Sequence, residues 1–139
     1  MMINRIFLAM AVTWTVAIMV VCWIPLTIPF PKLDNHGWLP FLLPDFDKMV
    51  HFGIFSIFAV LWFLALTVPG RSWKILVGAV ALAAITELGQ KVPMIGRSCD
   101  FDDALYDVLG VIFTLAFMIG LQTIVSRKKS NALAPTISV

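Results

Sequence analysis

The side chains in this sequence best equipped for chemistry sit where long apolar runs begin or end. Glu87 closes one such run, and Asp103 and Asp107 open the next. The polar turn between them carries Lys91, Arg97, Asp100 and Asp102, so the window Thr86–Gly110 holds five of the chain's eight acids. Upstream, Asp47, Lys48 and His51 stand at the head of an earlier apolar run. Carboxylates and an imidazole in such places can exchange protons or accept hydrogen bonds from hydroxyls and amines. Ionisable groups at the margin of a bilayer-spanning segment are costly, and by default they mark a functional site.

The elements that must position them follow from composition. Over 139 residues, 60% are hydrophobic and 13% charged. A soluble domain of this size needs far more polar surface than that. The expected fold is therefore all-α, a small integral membrane bundle of four transmembrane helices at about 6–28, 49–68, 73–90 and 105–125. Together they make one domain, residues 1–126. A net charge of +2, with no basic run interleaved with aromatics, excludes nucleic acid as a partner. Cys22 and Cys99 form neither a disulfide framework nor zinc-ligand spacing, and Cys22 reads as a packed thiol.

The first apolar run follows Asn4 and Arg5, and it is too long for a signal-peptide core. Pro25, Pro29 and Pro31 stop it, so it reads as a retained helix. The loop to Asp47 carries Trp38, Phe41, Leu42 and Leu43, which suit the headgroup layer; it either rests on the membrane or covers a site. The third run, Ile75–Leu88, gives only about 21 Å of helix and must extend through Trp73 and Gln90 to span. Beyond Ser126 the chain reads as a basic, disordered cytoplasmic tail, 127–139. With both termini inside, Arg5, Arg71, Lys74, Arg127, Lys128 and Lys129 are cytoplasmic, as the positive-inside rule favours. Every acid then lies on the outer side.

Helical spacing puts Asp47, His51, Phe55 and Ala59 on one face. The same rule aligns Ala79, Ala83, Glu87 and Gln90 on the third helix, and Asp103, Asp107, Gly110 and Thr114 on the fourth. Small residues below polar ones let helices approach closely, so the three stripes are expected to meet in one pocket open to the exterior. Glu87, about 20 Å along its helix from Lys74, is the deepest acid. As candidates for acid/base chemistry, Glu87, His51 and Asp103 come first. Asp47, Lys48, Gln90, Arg97, Asp100 and Asp107 are candidates for binding. His51 either bonds Asp47 or Glu87 to hold helices together or takes a catalytic or ligand-binding role. Arg97 pairs with Asp100 or Asp103, or grips a phosphate. No metal site is expected; the spacing of Asp100, Asp103 and Asp107 is the weak candidate, without a pairing such as HExxH.

Asp47-Lys48-x-x-His51-Phe52, then Glu87-x-x-Gln90, then Arg97-x-x-Asp100-x-x-Asp103 and Gly110 resemble the VanZ-like membrane proteins of bacteria. The resemblance runs from about Asp47 to Val125. It departs at Asp107, where the family pattern commonly has Asn. It implies a cell-envelope protein of the bacterial inner membrane and a possible link to resistance against the glycopeptide teicoplanin, but no established mechanism, substrate or cofactor. Three readings of the polar constellation stay open. It recognises membrane lipid or a lipid-linked envelope intermediate, it performs acid/base catalysis on one, or it only fixes four helices.

Overall fold

A computed structural model describes residues 4–23, 46–90 and 101–133, apart from the side chains of Phe46, Asp47, Gln90 and Leu133. Four helices are present among the described residues: α1 (Arg5–Trp23), α2 (Phe46–Ala65), α3 (Arg71–Gln90) and α4 (Phe101–Leu133). All four are long and apolar enough to cross a membrane. The prolines 25, 29 and 31, the 31–45 loop with its aromatic residues, Lys91, Arg97, Cys99, Asp100 and residues 134–139 lie outside the described residues.

Local sequence explains most boundaries. The side chain of Asn4 caps α1, its Oδ1 accepting from the Phe7 amide at 3.5 Å. Gly70, at φ 68°, makes the turn from α2 into α3 in a conformation that a side chain would strain. As expected from its short apolar run, α3 extends through its flanks; its 20 residues give about 30 Å. Asp102 and Asp103 in the first turn of α4 favour an earlier start than the expected residue 105. The far end of α4 requires a correction. The helix runs through Arg127, Lys128 and Lys129 to Leu133 and does not give way to a tail at 127. Arginine, lysine and alanine are strong helix formers, and no Gly or Pro interrupts the chain until Pro135.

The helices alternate in direction, so α2 and α4 run parallel. Asn4 donates its amide to the Ala65 carbonyl at 3.3 Å, joining the start of α1 to the end of α2. Arg71, opening α3, reaches Gln122 late in α4. α2 packs against all three other helices and most extensively against α4. Phe55, Phe58, Ala59 and Phe63 from α2 meet Ile75, Ala79, Leu82 and Ala83 from α3 and Val111 and Leu115 from α4. In lipid this contact is held by packing and polar bonds, because acyl chains are as apolar as the core. Two tryptophans supply such bonds to α1. The Trp14 indole donates to the Ile54 carbonyl at 3.0 Å, and the Trp62 indole to Thr15 Oγ1 at 3.1 Å. Phe113, Phe117 and Ile124 are 65%, 58% and 63% exposed on the outer face of α4, which suits lipid and not water.

Candidate functional site

The register between α2 and α4 builds the site. Gly110 lies against α2 so closely that a Cβ there would overlap the Phe52 carbonyl oxygen. Ser56 donates to the Gly110 carbonyl at 3.3 Å from the same seam. One turn closer to the helix starts, His51 and Asp107 face each other. His51 Nδ1 lies 3.0 Å from Asp107 Oδ1. An ionised carboxylate can only accept, so against it the imidazole donates from Nδ1. The opposite ring nitrogen, Nε2, lies 3.7 Å from Asp103 Oδ2, within reach of charge attraction but beyond a hydrogen bond.

Burial grades these groups. Asp107 is 1% exposed, whereas the side chains of His51 and Asp103 are 15% and 13% exposed. Asp107 Oδ2 is buried with no hydrogen-bond partner among the described residues. A buried polar atom in this condition lacks the bond that normally offsets its dehydration. Nearer the helix starts, Lys48 pairs with Asp102 at 3.5 Å and stands 5.7 Å above the centre of the Tyr106 ring. This outer pair is partly exposed and contributes little by itself.

The structure thus joins His51 to Asp107 through Nδ1 and brings Asp103 to 3.7 Å from Nε2. Glu87 is buried at 6% exposure, on the stripe with Ala79 and Ala83, but it enters from α3. There it lines a groove of about 690 Å³ with Ala83, Leu88, Phe101, Ala104 and Val108. The polar groups thus meet α4 from both α2 and α3, His51 beside Asp103 and Asp107, and Glu87 beside Ala104 and Val108. The side chains of Asp47 and Gln90, and all of Arg97 and Asp100, lie outside the described residues. Among the described residues, no three His, Cys, Asp or Glu side chains are disposed to hold a metal ion.

Tyr106 and Ser56 were not legible as site neighbours. Tyr106 is the chain's single tyrosine and sits three residues after Asp103, a spacing that places it beside the polar stripe. Ser56 is an ordinary helix residue whose role appears only once Gly110 is placed. The Trp23 indole packs on Gly89, closing α1 against α3 at this same end of the bundle.

The spans, the lipid-suited outer faces and the polar seam together define an all-α, multi-pass integral membrane protein in contact with lipid. In comparisons with known proteins, no family model, no curated protein and no solved structure matches the chain.

Proposed function

We propose that this chain is a VanZ-like protein of the bacterial cell envelope, with both termini cytoplasmic. Its polar site at the outer leaflet recognises a phospholipid-type or lipid-linked envelope component. The observation that carries this reading is the buried Asp107 carboxylate. One oxygen is engaged by His51, and the other has no hydrogen-bond partner among the described residues. Such an oxygen is suited to a hydroxyl or amine brought by a ligand headgroup. Lys48, together with Lys91 and Arg97 of the sequence between α3 and α4, supplies the complementary contact to phosphate. The orientation is supported by Arg5, Arg71, Lys74 and the Arg127–Lys129 cluster, which belong to the opposite end of the bundle. A tie to glycopeptide resistance rests on the family resemblance alone.

A second reading, intramembrane acid/base catalysis on a lipid-linked substrate, is favoured by one feature. Asp107 fixes the imidazole through Nδ1 and turns Nε2 toward Asp103, the arrangement by which a carboxylate orients a histidine for proton transfer. Native mass spectrometry of the purified protein tests the recognition reading. A co-purifying lipid that is depleted in Asp107→Asn and in Arg97→Ala, more than in Glu87→Gln, is the expected result. Turnover that is lost in His51→Gln while the protein still accumulates would favour catalysis. Equal loss of abundance in all of these variants would leave only a structural network.

A further inference from the structure

Resting on the recognition reading above, we propose that the groove between α1 and α2 seats a hydrocarbon chain of an amine-headgroup phospholipid, whose ammonium group reaches the His51, Asp103 and Asp107 cluster. The groove has a volume of about 170 Å³, and Trp14, Ala17, Ile18, Val21, Val50 and His51 are among its lining residues. Its wall on α1 runs from Trp14 to Cys22, two helical turns and about 12 Å along the helix. The long direction therefore follows the helices, as an acyl chain does. Val21 and Val50 on its rim are 55% and 37% exposed, so the groove faces the surrounding hydrocarbon.

His51 connects this groove to the polar site. Its ring forms part of the groove wall, while Nδ1 bonds Asp107 of α4. A lipid entering sideways between α1 and α2 meets apolar wall along its chain and the imidazole at its head. A slot with an apolar body and few convergent polar groups is the usual form of a small-molecule site.

Charge selects the headgroup. The helix ends here carry Asp47, Glu87, Asp102, Asp103 and Asp107 against Lys48, an excess of four acids. The connecting segments do not alter that balance: Lys32, Lys91 and Arg97 offset Asp34, Asp45 and Asp100. An anionic headgroup is therefore disfavoured, and a primary ammonium is attracted. The lipid's phosphate then falls to Lys48, which stands beside Asp102 and Tyr106 at the same level.

The test uses the full-length protein in detergent, offered equal amounts of phosphatidylethanolamine and phosphatidylglycerol and read by native mass spectrometry. Phosphatidylethanolamine should be preferred about fivefold, the ratio expected of one partly screened charge contact. Ala17→Trp fills the groove and should remove most bound phosphatidylethanolamine, and Asp103→Asn should weaken the preference between headgroups. If Asp103→Asn does so while Ala17→Trp binds normally, the groove assignment is overturned and the recognition reading stands. If neither variant changes binding, both are overturned. A preference for phosphatidylglycerol rejects the amine class. Should Ala17→Trp fail to fold, phosphatidylethanolamine with a photoactivatable diazirine in mid-chain decides on the unaltered protein. Labelling of the Trp14–Cys22 segment and Val50 supports the seat, and labelling confined to α3 and α4 overturns it.

Discussion

The two ends of this bundle solve the same problem differently. At the end where α3 begins, Arg71 commits its guanidinium to the protein. One Nη donates to the Leu66 carbonyl at 3.0 Å, the other donates to Gln122, and Cζ lies 3.7 Å over the Phe63 ring. At the opposite end, Asp107 is 1% exposed yet leaves Oδ2 with no hydrogen-bond partner among the described residues. His51 Nε2 stands 3.7 Å from Asp103 Oδ2. One end is a finished clamp. The other buries Asp107 Oδ2 without a hydrogen bond among the described residues, a condition that costs stability.

The largest expected effect follows from that asymmetry. His51→Ala removes the donor from a buried carboxylate and should cost about 3–5 kcal/mol, the range for breaking one side of a buried pair. Thermal unfolding in detergent would show it, and a ligand that satisfies Asp107 should stabilise the unaltered protein more than the variant. If Arg71→Ala proves the more damaging, the contrast between the ends is wrong. Next in size is Gly110→Ala. Its new methyl meets the Phe52 carbonyl, which is backbone and cannot rotate away, so about 1–3 kcal/mol should be lost to overpacking. The same variant should displace His51 from Asp107 and lower lipid binding. Unchanged binding with lowered stability would separate the seam from the site.

The Gly110 contact also explains what could be read in advance. Run length and helical spacing give the four spans and the stripes: Ala79, Ala83 and Glu87 are buried together, as are Asp107, Gly110 and Thr114. These patterns are local to one helix. The partner of His51 is not, because Asp107 lies 56 residues away and the pairing depends on axial register. That register is fixed where Gly110 admits the Phe52 backbone, a detail that hydropathy does not encode. Glu87 illustrates the same limit. Its depth is legible, but which side of α4 it meets depends on how α3 packs. The extension of α4 to Leu133 shows a different gap, since helix propensity continues past the point where the apolar run ends.

A third substitution probes the finished end. Arg71→Lys keeps the charge but loses the planar fork that serves two acceptors while stacking on Phe63. A loss of about 1–2 kcal/mol is expected, combining a weakened cation–π contact with one missing hydrogen bond. Lipid binding at the acidic end should stay unchanged. A fall in binding with this distant variant would mean that the two ends are coupled through α2 and α4.

The smallest effect concerns the bond midway between the ends. Trp62 donates to Thr15 Oγ1, and Thr15 in turn donates to the Ala11 carbonyl at 2.7 Å. Trp62→Phe keeps an aromatic ring near Phe58 but removes the donor, leaving Thr15 satisfied by its own helix. Interhelical side-chain bonds in membranes average about 0.6 kcal/mol, and a loss of that order is expected. The variant is informative because Trp62 faces the α1–α3 side of the bundle, away from the His51–Asp107 seam. If α1 is held mainly by such bonds, Trp62→Phe should increase amide exchange along α1 while leaving α2 and α4 protected. If exchange rises equally in all four helices, α1 is part of the same cooperative unit, and a lipid chain could not part it from α2 without loosening the whole bundle.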